Sequence, residues 1–310
     1  MLPEVTENPV ADGASETGPP SHGVDLAVVI PAFNERDGVG ATVDGVREAL
    51  ERAARSFEIV VVDDGSTDGT GDVAHAHGAR VVRLADNGGY GSALKVGIRE
   101  SSSELVVIID ADGTYPPDDI PRLVDLAQEA DMVVGARSAR DVSIPFVRRP
   151  AKWVLNRLAS YLAGQHIPDL NSGLRVLRRS VLDKFLHILP SGFSFTMTIT
   201  LALLCTSHRV VYELVVCRKR IGSSKLRATD TVTFLILVLR TVVLFNPLKV
   251  FLPFGSILFL VGLAKLIYDI LLWNLSESAV MMFLGAAVIW AVGLLADLIS
   301  RLELNPPRLQ

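Results

Sequence analysis

From residue 24 onward, short apolar runs alternate with longer stretches of helical periodicity. Residues 24–31 (VDLAVVIP), 57–63 (FEIVVVD), 79–84, 104–110 (ELVVIID) and 131–136 (DMVVGA) have the length and branched content of strands buried on both faces. Between them, 37–55, 69–77, 90–102 and 118–130 space their apolar residues as amphipathic helices do. Strands alternating with helices predict a mostly parallel α/β sheet covered on both faces. Each of four strands ends in polar residues: Asn34 and Glu35, Asp63 and Asp64, Asp110 to Asp112, and Arg137. Sheets of this class collect ligands at the carboxyl edge, so these clusters predict a site there.

Past Arg137 the pattern changes. Residues 148–164 read as a helix with a basic start, 171–178 as a strand, 192–208 as an apolar, Thr-rich helix and 209–217 as a further strand. A basic run follows at 218–227 (RKRIGSSKLR). Residues 229–245 are apolar but carry Arg240, which favours an amphipathic helix lying in the membrane interface over a span. Residues 250–273 and 279–299 are long and apolar enough to cross a bilayer, and the short link between them makes a hairpin. Lys265 and Asp269 lie toward the far end of the first span, where they snorkel. Lys and Arg flank the hairpin, while its short loop has none, so the positive-inside rule places both termini and the α/β part on the cytosolic side of the plasma (inner) membrane. The expected organisation is a disordered tail (1–23), an α/β domain (24–217), a basic linker with an interfacial helix (218–247), a membrane hairpin (248–301) and a cytosolic tail (302–310).

Composition agrees with that division. The chain is 49% hydrophobic and 21% charged, and the apolar excess is concentrated near the C-terminus, which excludes a wholly soluble or disordered protein. A net charge of −4 argues against a nucleic-acid partner. Residues 1–23 hold acids and prolines but no Lys or Arg, unlike a signal peptide. Cys205 and Cys217 form neither a disulfide framework nor a zinc spacing and read as buried thiols in a reducing compartment.

Gly38-Val39-Gly40 begins like a dinucleotide-binding fingerprint, but it lies well past its strand and continues into Val43. The stronger signal is Asp110-Ala111-Asp112 directly after an apolar strand. Alternate residues share a face, so the two carboxylates converge on one cation. Hard oxygen ligands suit Mg²⁺ or Mn²⁺, and Mg²⁺ is commonly held by one or two carboxylates together with substrate phosphates.

Pro31-Ala32-Phe33-Asn34-Glu35, Val62-Asp63-Asp64-Gly65-Ser66-Thr67-Asp68-Gly69-Thr70 and Asp110-Ala111-Asp112-Gly113 together resemble the signature of glycosyltransferase family 2, with its GT-A fold. Asn87-Gly88-Gly89-Tyr90-Gly91, Gly135-Ala136-Arg137, Asn171-Ser172-Gly173-Leu174-Arg175 and Gly222-Ser223-Ser224-Lys225 extend the resemblance toward the dolichol-phosphate mannose synthase and polyprenyl-phosphate branch. The resemblance implies that Pro31, Ala32, Phe33 and Glu35 line the base and ribose pocket. It implies that Asp63 or Asp64 reads the base, and that Gly89, Lys95 and Ala111 complete the nucleotide-sugar site. Asp110 and Asp112 would hold the metal and diphosphate, acting with Arg137 in catalysis. Arg137, Arg149, Lys152, Ser172, Arg175, Arg220, Ser224 and Lys225 would hold the acceptor phosphate. Two departures stand out. Thr114 occupies a position where related mannose synthases often carry Gln, which leaves more of the metal shell to water. The spacing after Arg149 is unusual, which keeps Arg148 as an alternative. Glu35 also reads as a helix cap, Asp63 and Asp68 as turn residues, and 218–227 as a surface anchor.

The acceptor class follows from chemistry. Transfer to a hydroxyl requires a general base, yet residues 191–201 (SGFSFTMTITL), where one is expected, contain no acid. A phosphate monoester, with a second pKa of about 6, is already largely a dianion near neutral pH. This favours a phosphate acceptor, and with it the resemblance implies inverting transfer from a UDP-glucose or GDP-mannose type donor to a polyprenyl phosphate in the bilayer. Another lipid acceptor, or a non-catalytic sugar-nucleotide scaffold, is the alternative. The oligomeric state, including a homo-oligomer, stays open.

Overall fold

The computed structural model describes residues 25–137, 157, 160–161, 164–192, 194–218, 243, 245–273 and 277–304. Seven strands form one sheet: β1 (Leu26–Ala32), β2 (Phe57–Asp63), β3 (Arg80–Arg83), β4 (Leu105–Ile108), β5 (Met132–Arg137), β6 (Arg175–Arg178) and β7 (Val210–Val215), in the order β3-β2-β1-β4-β6-β5-β7. All neighbours are parallel except β6, which runs antiparallel to both β4 and β5. The strand expected at 171–178 is confined to its last four residues, because 169–174 form bends held by side-chain hydrogen bonds from Asp169 and Ser172.

Alternate strand residues feed two separate cores, as strand geometry dictates. Val28, Ile30, Val107 and Val133 pack with helices α1 (Arg36–Arg52), α2 (Thr70–Ala76) and α4 (Ile120–Leu126) on one face. Val29, Val106, Ile108 and Val134 pack with α3 (Tyr90–Glu100), α5 (Arg179–Phe185) and α6 (Phe195–Cys205) on the other. The helix expected over 118–130 begins instead as a 3-10 turn at Pro117–Asp119, and α4 ends at Leu126. Helix α6 is shorter than expected and apolar on every side, and Phe195 to Leu204 are all buried, as such a helix requires.

Among the described residues two helices long and apolar enough to cross a membrane follow, α7 (Leu248–Leu271) and α8 (Glu277–Leu304). They pack through aromatic contacts: Phe259 lies against Phe283 and Trp290 at centroid distances of 5.1 and 5.7 Å. Trp290 Nε1 donates to the Leu252 carbonyl at 3.3 Å. The outward residues, among them Phe254, Leu260, Val280 and Leu284, are exposed apolar side chains suited to lipid. Half-buried Lys265 pairs with Asp269, which is buried in the hairpin, so Asp269 does not reach outward as a snorkelling charge. The interfacial helix expected at 229–245 lies almost entirely outside the described residues.

Just before α7, Phe245 is 6% exposed and enters the second core, edge-on to Phe185 at 6.2 Å. The root of the hairpin is thereby part of the α/β core. Truncating a buried Phe costs about 3–5 kcal/mol. Phe245→Ala is therefore expected to lower the unfolding free energy of the α/β domain by about that amount, read by chemical unfolding of the full chain.

Candidate active site

The carboxyl ends of β1, β2 and β4 are adjacent, so the loops that follow them meet. After β1 the backbone turns at Asn34, whose φ is +52°. Its N–H donates to Ser66 Oγ (3.0 Å) and its Oδ1 accepts the Thr67 N–H (2.9 Å). The Glu35 N–H donates to Thr70 Oγ1 (3.0 Å), and the Arg36 N–H to Asp68 Oδ2 (3.2 Å). Burial raises the Asp68 carboxyl pKa, but the hydrogen bonds from Thr70 and Arg36 outweigh it and hold the group below its ordinary value. Asn34, Asp68 and Thr70 thus stitch the β1 and β2 loops together. Glu35 stands at the N-cap position of α1, yet its side chain makes no capping bond. Phe33 and Glu35 are partly exposed at this edge, while Pro31 and Ala32 are buried within β1 as its wall.

The two acids after β2 differ in surroundings. Asp63 Oδ1 accepts the Ser66 N–H (3.0 Å) and closes its own turn. Asp64 uses both oxygens on the next loop, accepting the Gly88 and Gly89 N–H groups at 2.9 Å each. Gly89 then opens α3 with φ at +94°. Lys95 lies further along α3, where burial and then the charge of Arg99 lower its pKa, and it makes no ion pair among the described residues.

Asp110, two residues beyond β4, is half-buried, and its Oδ1 accepts the Tyr90 O–H at 2.8 Å. Burial, then the charge of Asp110, pushes the Tyr90 pKa well up, so the hydroxyl stays protonated and donates. Asp112 is 6% exposed and its Oδ1 accepts the Thr114 N–H at 2.9 Å. Between them Ala111 is buried, and its carbonyl accepts the Thr42 hydroxyl at 3.2 Å. A Cβ on Gly38 would lie 2.6 Å from that carbonyl, so the glycine that mimics a dinucleotide fingerprint serves close packing of α1.

The seat of Asp110 is completed from the other side. A Cβ on Gly173 would lie 2.0 Å from Asp110 Oδ2, so the carboxylate occupies the space a side chain there would need. The Gly173 N–H donates to the buried Tyr115 hydroxyl oxygen at 2.7 Å. Tyr90 and Tyr115 carry no motif of their own; Tyr90's place inside Asn87-Gly88-Gly89-Tyr90-Gly91 is the signal that marks it.

At the end of β5, Arg137 meets Asp169, an acid that no sequence spacing marks and that the sequence pattern therefore does not reveal. The Arg137 Nε and Nη2 donate to its two oxygens at 2.7 and 3.0 Å, and the Arg137 N–H donates to Oδ2 at 3.2 Å. Burial works against both charges, but the paired hydrogen bonds prevail: Asp169 is held below its ordinary value and Arg137 above its own. Arg137 remains partly exposed, with its guanidinium fixed in place.

Two assignments to the acceptor phosphate are corrected. Arg175 is 0% exposed and its donors are engaged inward, on the Ser172 and Leu170 carbonyls and Thr200 Oγ1, so it does not reach a bound phosphate. Ser172 is equally enclosed, donating to the Gly135 carbonyl and accepting the Leu174 N–H. Arg149, Lys152, Arg220, Ser224 and Lys225 lie outside the described residues.

No group of three or more His, Cys, Asp or Glu fit for a metal occurs among the described residues. Two carboxylates at a strand end, with the remaining ligands from a diphosphate and water, nevertheless match the way Mg²⁺ is usually bound. The donor set fits a hard divalent cation at Asp110 and Asp112.

Removing one partner of a buried ion pair costs about 3–5 kcal/mol, so Asp169→Asn is expected to destabilise the protein by that order at pH 7. Because the Asp169 pKa is depressed in the folded state, its contribution is present above the ordinary carboxylate range and is lost as pH falls through the folded value. The gap between wild type and Asp169→Asn should therefore close in acid, which chemical unfolding across pH measures.

The family described as Glycosyl transferase family 2 matches residues 27–186, and the GtrB C-terminal hairpin matches 246–302. The chain is 31% identical over 299 residues to an undecaprenyl-phosphate 4-deoxy-4-formamido-L-arabinose transferase of Klebsiella pneumoniae, covering 89% of this chain and 88% of the relative. A protein of the same name from Edwardsiella ictaluri is 30% identical, with 89% of each chain covered. Among solved structures, mannosyl-3-phosphoglycerate synthase from Rubrobacter xylanophilus superposes with a TM-score of 0.57 at 25% identity, over 71% of this chain and 73% of that one. Glucosyl-3-phosphoglycerate synthase from Mycobacterium tuberculosis, solved with Mn²⁺, UDP-glucose and phosphoglyceric acid, gives 0.55 at 22%, over 71% and 80%. The chain belongs to glycosyltransferase family 2 and is a glycosyltransferase that carries a C-terminal membrane hairpin.

Proposed function

We propose that the protein transfers a sugar, with inversion, from a nucleotide-sugar of the UDP-glucose or GDP-mannose class to a polyprenyl phosphate at the cytosolic face of the inner membrane. The observation that carries this reading is Arg137: a guanidinium locked by Asp169 at the same sheet edge as Asp110 and Asp112, in a chain with a membrane hairpin. The full-length relatives named as undecaprenyl-phosphate transferases support the acceptor class.

Phe33 and Glu35 line the base and ribose, with Pro31, Ala32 and Ala111 as the buried wall. Asp110 and Asp112 would hold a divalent cation, Mg²⁺ or Mn²⁺, which would supply positive charge against the departing diphosphate. Arg137, joined by Arg149, Lys152, Arg220, Ser224 and Lys225, draws the acceptor dianion toward the anomeric carbon against the donor's negative charge. The acceptor oxygen forms the new C–O bond as the bond to the diphosphate breaks, and no proton need be removed. Positioning and fixed charge supply the rate.

The test is label transfer by the full-length protein in nanodiscs, with Mg²⁺ or Mn²⁺, radiolabelled UDP-glucose or GDP-mannose, and either polyprenyl phosphate or the free polyprenol. Label should enter the organic phase only with the phosphate. Asp112→Ala should lower transfer roughly 100-fold or more, the scale of losing an electrostatic contact to the transition state. Arg137→Lys, which keeps the charge but loses the fork, should raise the acceptor KM. Equal labelling of the free polyprenol, or full activity of Asp112→Ala, overturns the reading.

A further inference from the structure

Arg175 is a charge with no place in the chemistry above. Its guanidinium is wholly removed from water, and none of its described hydrogen-bond partners is a carboxylate. Burying such a charge is unfavourable, and well-packed apolar residues often serve stability as well or better. A buried cation held this way makes sense if it fixes a conformation.

The carbonyls it holds say which one. Nε donates to Ser172 O (2.8 Å) and Nη2 to Leu170 O (2.9 Å), so one planar fork ties two points of the turn before β6. Nη1 donates to Thr200 Oγ1 (2.5 Å), which fastens that turn to α6, an element of the second core. The turn carries both halves of the site. Asp169, at its start, clamps Arg137. Gly173, near its end, leaves the room in which the Asp110 carboxylate sits.

We propose that Arg175 is a positioning residue: by locking residues 169–174 into one rigid turn, it sets the separation between the donor-side carboxylate Asp110 and the acceptor-side cation Arg137. This rests on the transferase reading. A misplacement of about 1 Å between reacting groups costs on the order of 100-fold in rate, so a turn that carries both groups governs how well sugar and phosphate oxygen align. Arg175 touches neither substrate. A loosened turn admits water to the anomeric carbon at the expense of the phosphate acceptor. Hydrolysis needs only donor and water: the water oxygen bonds to the anomeric carbon, the diphosphate leaves, and the water proton passes to solvent.

The experiment compares transfer with donor hydrolysis in the full-length protein, for wild type, Arg175→Lys and Thr200→Val. Arg175→Lys keeps the charge but cannot span three acceptors with one ammonium. Thr200→Val removes one tie with little change of shape and covers the case in which Arg175→Lys fails to fold. The expected result is a transfer-to-hydrolysis ratio lowered about 10-fold or more in Arg175→Lys and about 3-fold in Thr200→Val, smaller than full misalignment because other contacts of the turn persist. Binding of the nucleoside alone by calorimetry should stay within about 2-fold of wild type, since the β1 and β2 loops that line the base and ribose are untouched. A merely structural role would lower transfer and hydrolysis together and leave the ratio unchanged, which overturns the proposal. Wild type that transfers nothing to polyprenyl phosphate overturns the transferase reading, and this proposal with it. An active wild type with unchanged ratios in the folded variants overturns this proposal alone.

Discussion

The Asp110 carboxylate occupies space that a side chain at residue 173 would need, and much of the site is arranged around that fit. Gly173 must be glycine and must stay in place, so its N–H is held by Tyr115. The turn that brings it there leads directly into β6, which runs antiparallel between β4 and β5. From the opposite side, Tyr90 fixes an oxygen of the same carboxylate, and Tyr90 sits where it does because Asp64 holds the two preceding amides. A single acidic side chain is thus positioned by contacts drawn from β2, α3 and the β6 turn.

The two arginines of this region show how burial decides a role. Arg137 and Arg175 stand in similar motifs, each at a strand terminus. Arg137 has a carboxylate partner and keeps an exposed face, so it retains a charge that a substrate can meet. Among the described residues Arg175 has carbonyl, hydroxyl and thioether partners but no carboxylate, and no exposed face. A fork of donors in a dry interior is an effective way to fix carbonyl positions, whereas the same fork at an edge recognises phosphate.

Which parts were legible in the sequence follows the same physics. The parallel strands and the hairpin were readable because burial on both faces, or in lipid, writes itself as unbroken apolar runs. Asp110 and Asp112 were readable because strand alternation puts both carboxylates on one side of the chain, directly after an apolar run that ends at the ligand-binding edge. The direction of β6 was not, since four residues of strand carry no periodicity and the turn before it contains no Pro. The inward aim of Arg175 was equally hidden: polarity says that a residue is charged, not which face of the sheet it enters. Asp169 was not legible because its partner lies 32 residues away and, unlike Arg137, it ends no strand and belongs to no motif. Gly38 mimics a dinucleotide fingerprint because close packing and phosphate binding both select glycine, and its distance past the strand separates the two.

The proposed acceptor brings its own nucleophile, which is why a site with fixed cations and a helix start free of acids is sufficient. The pH dependence of kcat/KM for the acceptor tests this most directly, measured with polyprenyl phosphate and with the corresponding phosphonate, whose second ionisation lies at higher pH. An acceptor dianion as nucleophile predicts an ascending limb near the phosphate's second pKa of about 6, moving upward with the phosphonate. A limb that stays at the same pH for both acceptors would reveal a general base on the protein and contradict the phosphate-acceptor chemistry.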